Sequence, residues 1–146
     1  SRDNERLAQA AQAGTFAELV AAIWHAYARP ERLSRVRGFF HVVGLAAYNP
    51  AAFAEFIDSL DDLTKMLASL AERDGLDPAE AVNTATVAIA ALRGLLLQEV
   101  LGQAVNSEAP LELIMRMSQA QARRSRGRAV QPPDFTLTTG LQEPAT

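Results

Sequence analysis

Apolar positions recur every three to four residues from near the start of this chain to about residue 122, and the breaks between runs carry helix-end chemistry. The first 13 residues predict a short helix over 3–13, with Gly14 as its stop. Thr15 and Glu18 form a capping box for a second helix, whose stripe is Phe16, Leu19, Val20, Ile23, Trp24 and Tyr27 and which Pro30 ends near Ala28. A third helix places Leu33, Val36, Phe40, Val43 and Ala47 on one line. Asn49 and Pro50 read as cap and first residue of a fourth, with Phe53, Phe56, Ile57, Leu60, Leu63, Leu67 and Leu70 as its stripe and Gly75 as its end. Asn106 or Ser107 starts a sixth helix, with Leu111, Ile114, Met115, Ser118 and Ala122 on one side. Nothing before residue 126 alternates with a period of two, so the expected fold is an all-α bundle of about six helices.

The fifth helix departs from the one-sided pattern. Residues 77–102, DPAEAVNTATVAIAALRGLLLQEVLG, open with a capping Asp77, Pro78 at the first helical position and Glu80 in the place of a capping-box acid. From Ala85 to Leu97 only Thr86, Arg93 and Gly94 interrupt the apolar run. A helix apolar all round needs cover on both sides, one face inside the domain and the other on a partner. That pattern predicts a helical homodimer. Gly94 permits close backbone approach; Leu95, Leu97, Leu111, Ile114 and Met115 complete the expected surface, although the same residues also suit one chain's own core.

At 146 residues the chain is long enough for one sizeable core, and 49% hydrophobic with 21% charged residues fits a soluble globular protein. Net charge is −3, against the basic balance of a domain that grips phosphate. There is no cysteine, so disulfides and thiolate metal sites are excluded and a cytoplasmic location is permitted. The N-terminal SRDNERLAQAAQAG lacks the apolar region of a signal peptide, and the fifth helix's apolar run is shorter than the ~20 residues of a bilayer span and interrupted by Arg93, so no membrane segment is expected. Residues 1–125 read as one domain, with 1–13 as part of a connecting helix. Residues 126–146 read as an irregular tail with a short extended piece around Phe135 to Thr138. Arg123, Arg124, Arg126 and Arg128 read as a solvated cluster or intersubunit salt bridges rather than a DNA contact.

The run RVRGFFHVVGLAAYNPAAFAEFIDSLDDLTKMLASLAERDGLDPAEAVNTATVAIAALRGLLLQEVL resembles the C-terminal half of tetracycline-repressor (TetR) family transcriptional regulators. The resemblance spans roughly residues 14–122 and rests on AAYNPAAF at Ala46–Phe53, G-L-D-P at Gly75–Pro78 and AALRGLLLQ at Ala90–Gln98. It implies a helical domain that binds a small effector and dimerises through its last two long helices, joined in the family to an N-terminal helix-turn-helix. No helix-turn-helix pattern precedes Gly14, so DNA is expected as a partner only through a domain outside these residues.

An effector pocket between helices needs apolar walls and a few orienting polar groups. The second, third and fourth helices supply Trp24, Phe39, Phe40, Phe53 and Phe56, with hydroxyls from Tyr27 and Tyr48, although aromatics at helical spacing also serve as plain core. Arg37, His41, Gly44 and Tyr48 form one line beside the third helix's stripe, and Asn83 and Thr86 share a face with Val82, Ile89, Ala90, Arg93 and Leu97. The expected ligand-binding set is therefore Trp24, Tyr27, Phe40, His41, Tyr48, Phe56, Asn83 and Thr86, around a small apolar or aromatic effector. No H-E-x-x-H, G-x-S-x-G or Gly-rich phosphate loop is present, so no metal, cofactor or catalytic group is expected. The leading functional expectation is a ligand-sensing, dimerising regulatory domain. The alternative is a small helical carrier or enzyme with an apolar cavity, and a weaker one is a structural dimerisation module with a filled core.

Overall fold

Local capping chemistry sets the helix boundaries. In the computed structural model, which describes residues 2–103 and 106–130, helix α1 spans Arg2–Ala13 and α2 spans Phe16–Tyr27. Thr15 Oγ1 accepts from the Glu18 amide at 3.2 Å and satisfies one of α2's orphan donors. Between the two helices the chain passes so close to itself that a Cβ on Gly14 would lie 2.6 Å from the Ala10 carbonyl oxygen. A 3₁₀ turn at Pro30–Arg32 leads into α3, Leu33–Tyr48. Pro50 opens a second 3₁₀ turn, Pro50–Phe53, and α4 follows over Ala54–Arg73; Asn49 makes no side-chain cap bond, so the fourth α-helix begins one turn later than its sequence signal.

Helix α5, Pro78–Val100, starts on Asp77, whose Oδ1 accepts from the Glu80 amide at 3.0 Å. The α4–α5 turn is a Schellman motif: Gly75, at φ 103°, donates to Glu72 and Leu76 donates to Ala71. The same motif closes α5, with Gly102 at φ 69° donating to Glu99 and Gln103 to Gln98. The expected sixth helix is two, α6 over Glu108–Met115 and α7 over Met117–Val130, separated at Arg116. Helix α7 runs five residues past the expected boundary at 125, because arginine is a good helix former and no proline intervenes before Pro132. The arginine cluster is therefore helical; the extended piece expected around Phe135 to Thr138 lies outside the described residues.

The architecture is an all-α bundle of seven helices, with no strand among the described residues. Its centre is the antiparallel α4–α5 pair, and α2 lies against both and against α6. Phe16, Leu19 and Val20 from α2, Leu67, Leu70 and Ala71 from α4, and Ala81, Ala85, Ala88 and Leu92 from α5 form the core, with Ile114 and Ala122 closing it. Two polar ties add to this packing. The buried Ser118 hydroxyl donates to Asp74 Oδ2 at 2.6 Å, and Ser125 donates to Glu80 Oε2 at 2.7 Å, fixing α7 to both ends of the α4–α5 turn. Helix α3 is held differently, since only Val36 and Ala46 of its sixteen residues are buried.

At 23 residues α5 is long enough to cross a bilayer, with a mean hydropathy of 1.3 over its most apolar 18 residues. Its length therefore does not exclude a membrane span, contrary to the sequence expectation. Its packing against α2, α3, α4, α6 and α7 covers one face, and a third of that apolar stretch is buried.

Candidate functional site

Because α3 leans on the bundle through few residues, space is left between it and the α4–α5 pair. The resulting cleft, partly open to solvent, has a volume of about 460 Å³, within the usual range for small-molecule sites. Its base is apolar: Ile23 from α2, Val36 from α3, and Ile89, Leu92 and Leu96 from α5 are all buried. Phe39 and Phe56 form a wall, their ring centroids 5.9 Å apart and the rings tilted by 57°. Leu60, Leu63 and Ser59 continue that wall along α4, where Ser59 donates its hydroxyl to the Phe56 carbonyl at 2.6 Å. Tyr27, Arg32, Arg35 and Arg93 supply the polar remainder.

Arg93 is held by the neighbouring helix. It projects from α5 into the α4–α5 seam, where Nη2 donates to the Leu60 carbonyl oxygen at 2.9 Å. Burial lowers the pKa of its guanidinium, and the negative charge of Asp61 acts in the opposite direction. A guanidinium keeps its proton in such a setting, so the cleft carries a fixed, partly desolvated positive charge.

The sequence-predicted ligand residues divide into three groups. Tyr27 and Phe56 line the cleft. Trp24 packs against the core behind it, and Phe40 stands beside the wall, its ring 5.3 Å from that of Phe39 in an edge-on contact. His41, Tyr48, Asn83 and Thr86 face outward. Tyr48 is 95% exposed, and Thr86 returns its hydroxyl to the Val82 carbonyl of its own helix at 2.7 Å. The reason lies in the rotation of two helices. Helix α3 turns Val36, Phe39 and Ala46 inward, which carries the line Arg37, His41, Gly44 and Tyr48 to the solvent side. On α5 the inward face is Ala81, Ala85, Ala88, Leu92 and Leu96, so only Ile89 and Arg93 of the face around Asn83 reach the cleft.

Sequence reasoning misses Arg32 and Arg35 as lining residues, and it names Phe39 among the wall aromatics but takes Phe40 into the ligand-binding set. Phe39 immediately precedes Phe40, and choosing between them needs the rotation of α3, which a stripe of mixed small and large residues leaves open. The arginines lie in the first turn of α3 and the 3₁₀ turn before it, where solvent exposure is the usual expectation.

The expected dimer residues also separate. Gly94 and Leu97 lie on the outer face of α5, with open space around Gly94. Leu95, Leu111 and Met115 are half-buried against the core, and Ile114, 5% exposed, is inside it, because α6 turns its apolar stripe onto α2 and α5. The outer face of α5 instead continues through Val87, Ala90, Gly94, Leu97 and Leu101, an exposed apolar strip along the helix.

No group of three or more histidine, cysteine, aspartate or glutamate side chains is placed to hold a metal ion among the described residues. No protein-family model, curated protein or solved structure matches this chain.

Proposed function

We propose that this is a small-molecule-sensing, dimerising regulatory domain of a TetR-like transcriptional regulator, cytoplasmic, with DNA recognition assigned to a separate domain. The supporting observation is that one helix, α5, carries the base of a cleft of about 460 Å³ on one side and an exposed apolar strip on the other. A ligand in the cleft contacts α5 through Ile89, Leu92, Arg93 and Leu96, while a second subunit meets it through Gly94, Leu97 and Leu101. Burial of that strip supplies the driving force for association. Binding and pairing then share one element, and a ligand with different affinities for two positions of α5 shifts the subunit equilibrium.

The composition of the lining favours binding over chemistry. It contains arginine, serine and tyrosine but no histidine, aspartate, glutamate or lysine, so proton transfer near neutral pH has no obvious agent there. Carriage without regulation is the remaining alternative, and it predicts a ligand that leaves the subunit equilibrium unchanged.

Two measurements test the proposal together. Sedimentation velocity of the wild-type chain is expected to show a dimer, and Gly94→Arg to shift it to monomer at the same concentration. Titration with neutral apolar probes (naphthalene, biphenyl and 1-decanol) is expected to perturb the backbone amide resonances of Phe39, Phe56 and Leu92, and Ser59→Trp, which fills the cleft from its wall, is expected to abolish the effect. A monomeric wild type, or cleft resonances indifferent to every probe, would overturn the sensing reading. A dimer whose dissociation constant is the same with and without bound probe would favour the carrier.

A further inference from the structure

The cleft's charge runs against that of the chain. The protein carries 17 acidic and 14 basic side chains, yet the cleft lining holds arginines and no carboxylate. Arg32 has a partner of its own, so the cleft's charge rests on Arg93 and Arg35. These two come from separate places in the fold, Arg35 from the entry to α3 and Arg93 from the middle of α5, so the cleft brings together charges that are far apart in sequence. Around them the surface is aliphatic and aromatic.

Arg93 makes this asymmetry specific. Its guanidinium is partly buried; the negative charge of Asp61 acts on it, but the hydrogen bond that fixes it goes to the neutral Leu60 carbonyl. A guanidinium has five N–H donors, and one bond to Leu60 leaves most of that capacity available for another acceptor. A planar anion offers matching geometry through two parallel hydrogen bonds, and a partly desolvated setting strengthens them. Arg35, exposed and one helical turn before Phe39, lines the α3 side of the same cleft and adds a second positive charge to it.

Resting on the reading of this cleft as a ligand site, we propose that its ligand is an anionic amphiphile: a carboxylate carried on an apolar chain or ring, with Arg93 as the charge partner and Phe39, Phe56, Leu60 and Leu92 around the apolar body. Neutral apolar compounds of the same size fill the same space without satisfying the guanidinium.

Calorimetric titration with matched probes tests this directly. Decanoate and 2-naphthoate are expected to bind at least about tenfold more tightly than 1-decanol and 2-naphthol, and decyltrimethylammonium is expected not to bind. Arg93→Gln should remove most of the preference for the anion while leaving the affinity for 1-decanol within about twofold, and Arg93→Lys should recover part of it. Should Arg93→Gln fail to fold for want of its bond to α4, the exposed Arg35→Gln still reads the effect, as a smaller loss confined to the anions. Equal or tighter binding of the neutral probes overturns the charge assignment and leaves the cleft as a binding site. An undiminished anion preference in a folded Arg93→Gln, Arg35→Gln double variant overturns it as well. Failure of every probe, charged or neutral, overturns the cleft reading itself.

Discussion

At the scale of single residues, Leu92 carries the most consequence. It is 1% exposed, belongs to the core that α2, α4 and α5 share, and also forms part of the cleft's base. Leu92→Ala is expected to cost about 2–5 kcal/mol in denaturant unfolding, and the space it opens joins the cleft, so larger apolar probes gain affinity relative to small ones. Much of this residue-level detail is legible in the sequence. The caps at Thr15 and Asp77 and the stop at Gly75 follow from short-range chemistry that needs no partner. The roles of Ser118 and Arg93 are not legible in the same way, because their partners, Asp74 and the Leu60 carbonyl, are 44 and 33 residues away and meet them only through tertiary packing.

At the scale of elements, α3 and α5 are opposites. Helix α5 is packed by five neighbours, whereas α3 buries two side chains and contains two glycines, Gly38 and Gly44, at exposed positions with nothing within 4 Å of where a Cβ would stand. Glycine inside a helix costs about 0.5–1 kcal/mol relative to alanine. Gly38→Ala and Gly44→Ala are therefore each expected to stabilise α3 by roughly that amount without touching any neighbour, and to slow amide hydrogen exchange in Leu33–Tyr48 more than elsewhere. Unchanged exchange in α3 would show that its looseness comes from docking and not from the helix itself. The existence and order of the helices are readable from periodicity, but the rotation of α3 is not. A stripe through Phe40, Val43 and Ala47 competes with one through Phe39, Val42 and Ala46, and the positions of α4 and α5 decide between them. The division of the sixth helix at Arg116 also has no sequence signal, as neither proline nor glycine marks it.

At the scale of the whole molecule, the cleft is a place where the bundle has forgone packing. A ligand that binds the folded chain alone adds stability by mass action, about 2.7 kcal/mol at a hundred times its dissociation constant. For a chain of this length decanoate at that level is expected to raise Tm by about 5–10 °C. A shift absent in the wild type would show that decanoate does not bind the folded chain, and one retained in Ser59→Trp would place the binding elsewhere. The sequence conveys that α5 has two faces to cover but not which face meets which partner, since its apolar residues encircle it. That choice is made by where α2, α4 and α7 fall around it.

The thin attachment of α3 has a thermodynamic corollary. Unfolding it alone exposes little apolar surface, so that step has a small heat-capacity change and a small denaturant dependence. It is nearly silent in calorimetry and visible in hydrogen exchange, as expected of a local opening below the global one. Filling the cleft adds shared surface between α3 and the α4–α5 pair, which merges the silent step into the main transition. Occupancy would then be read as a gain in cooperativity, a steeper unfolding curve, as well as a higher midpoint.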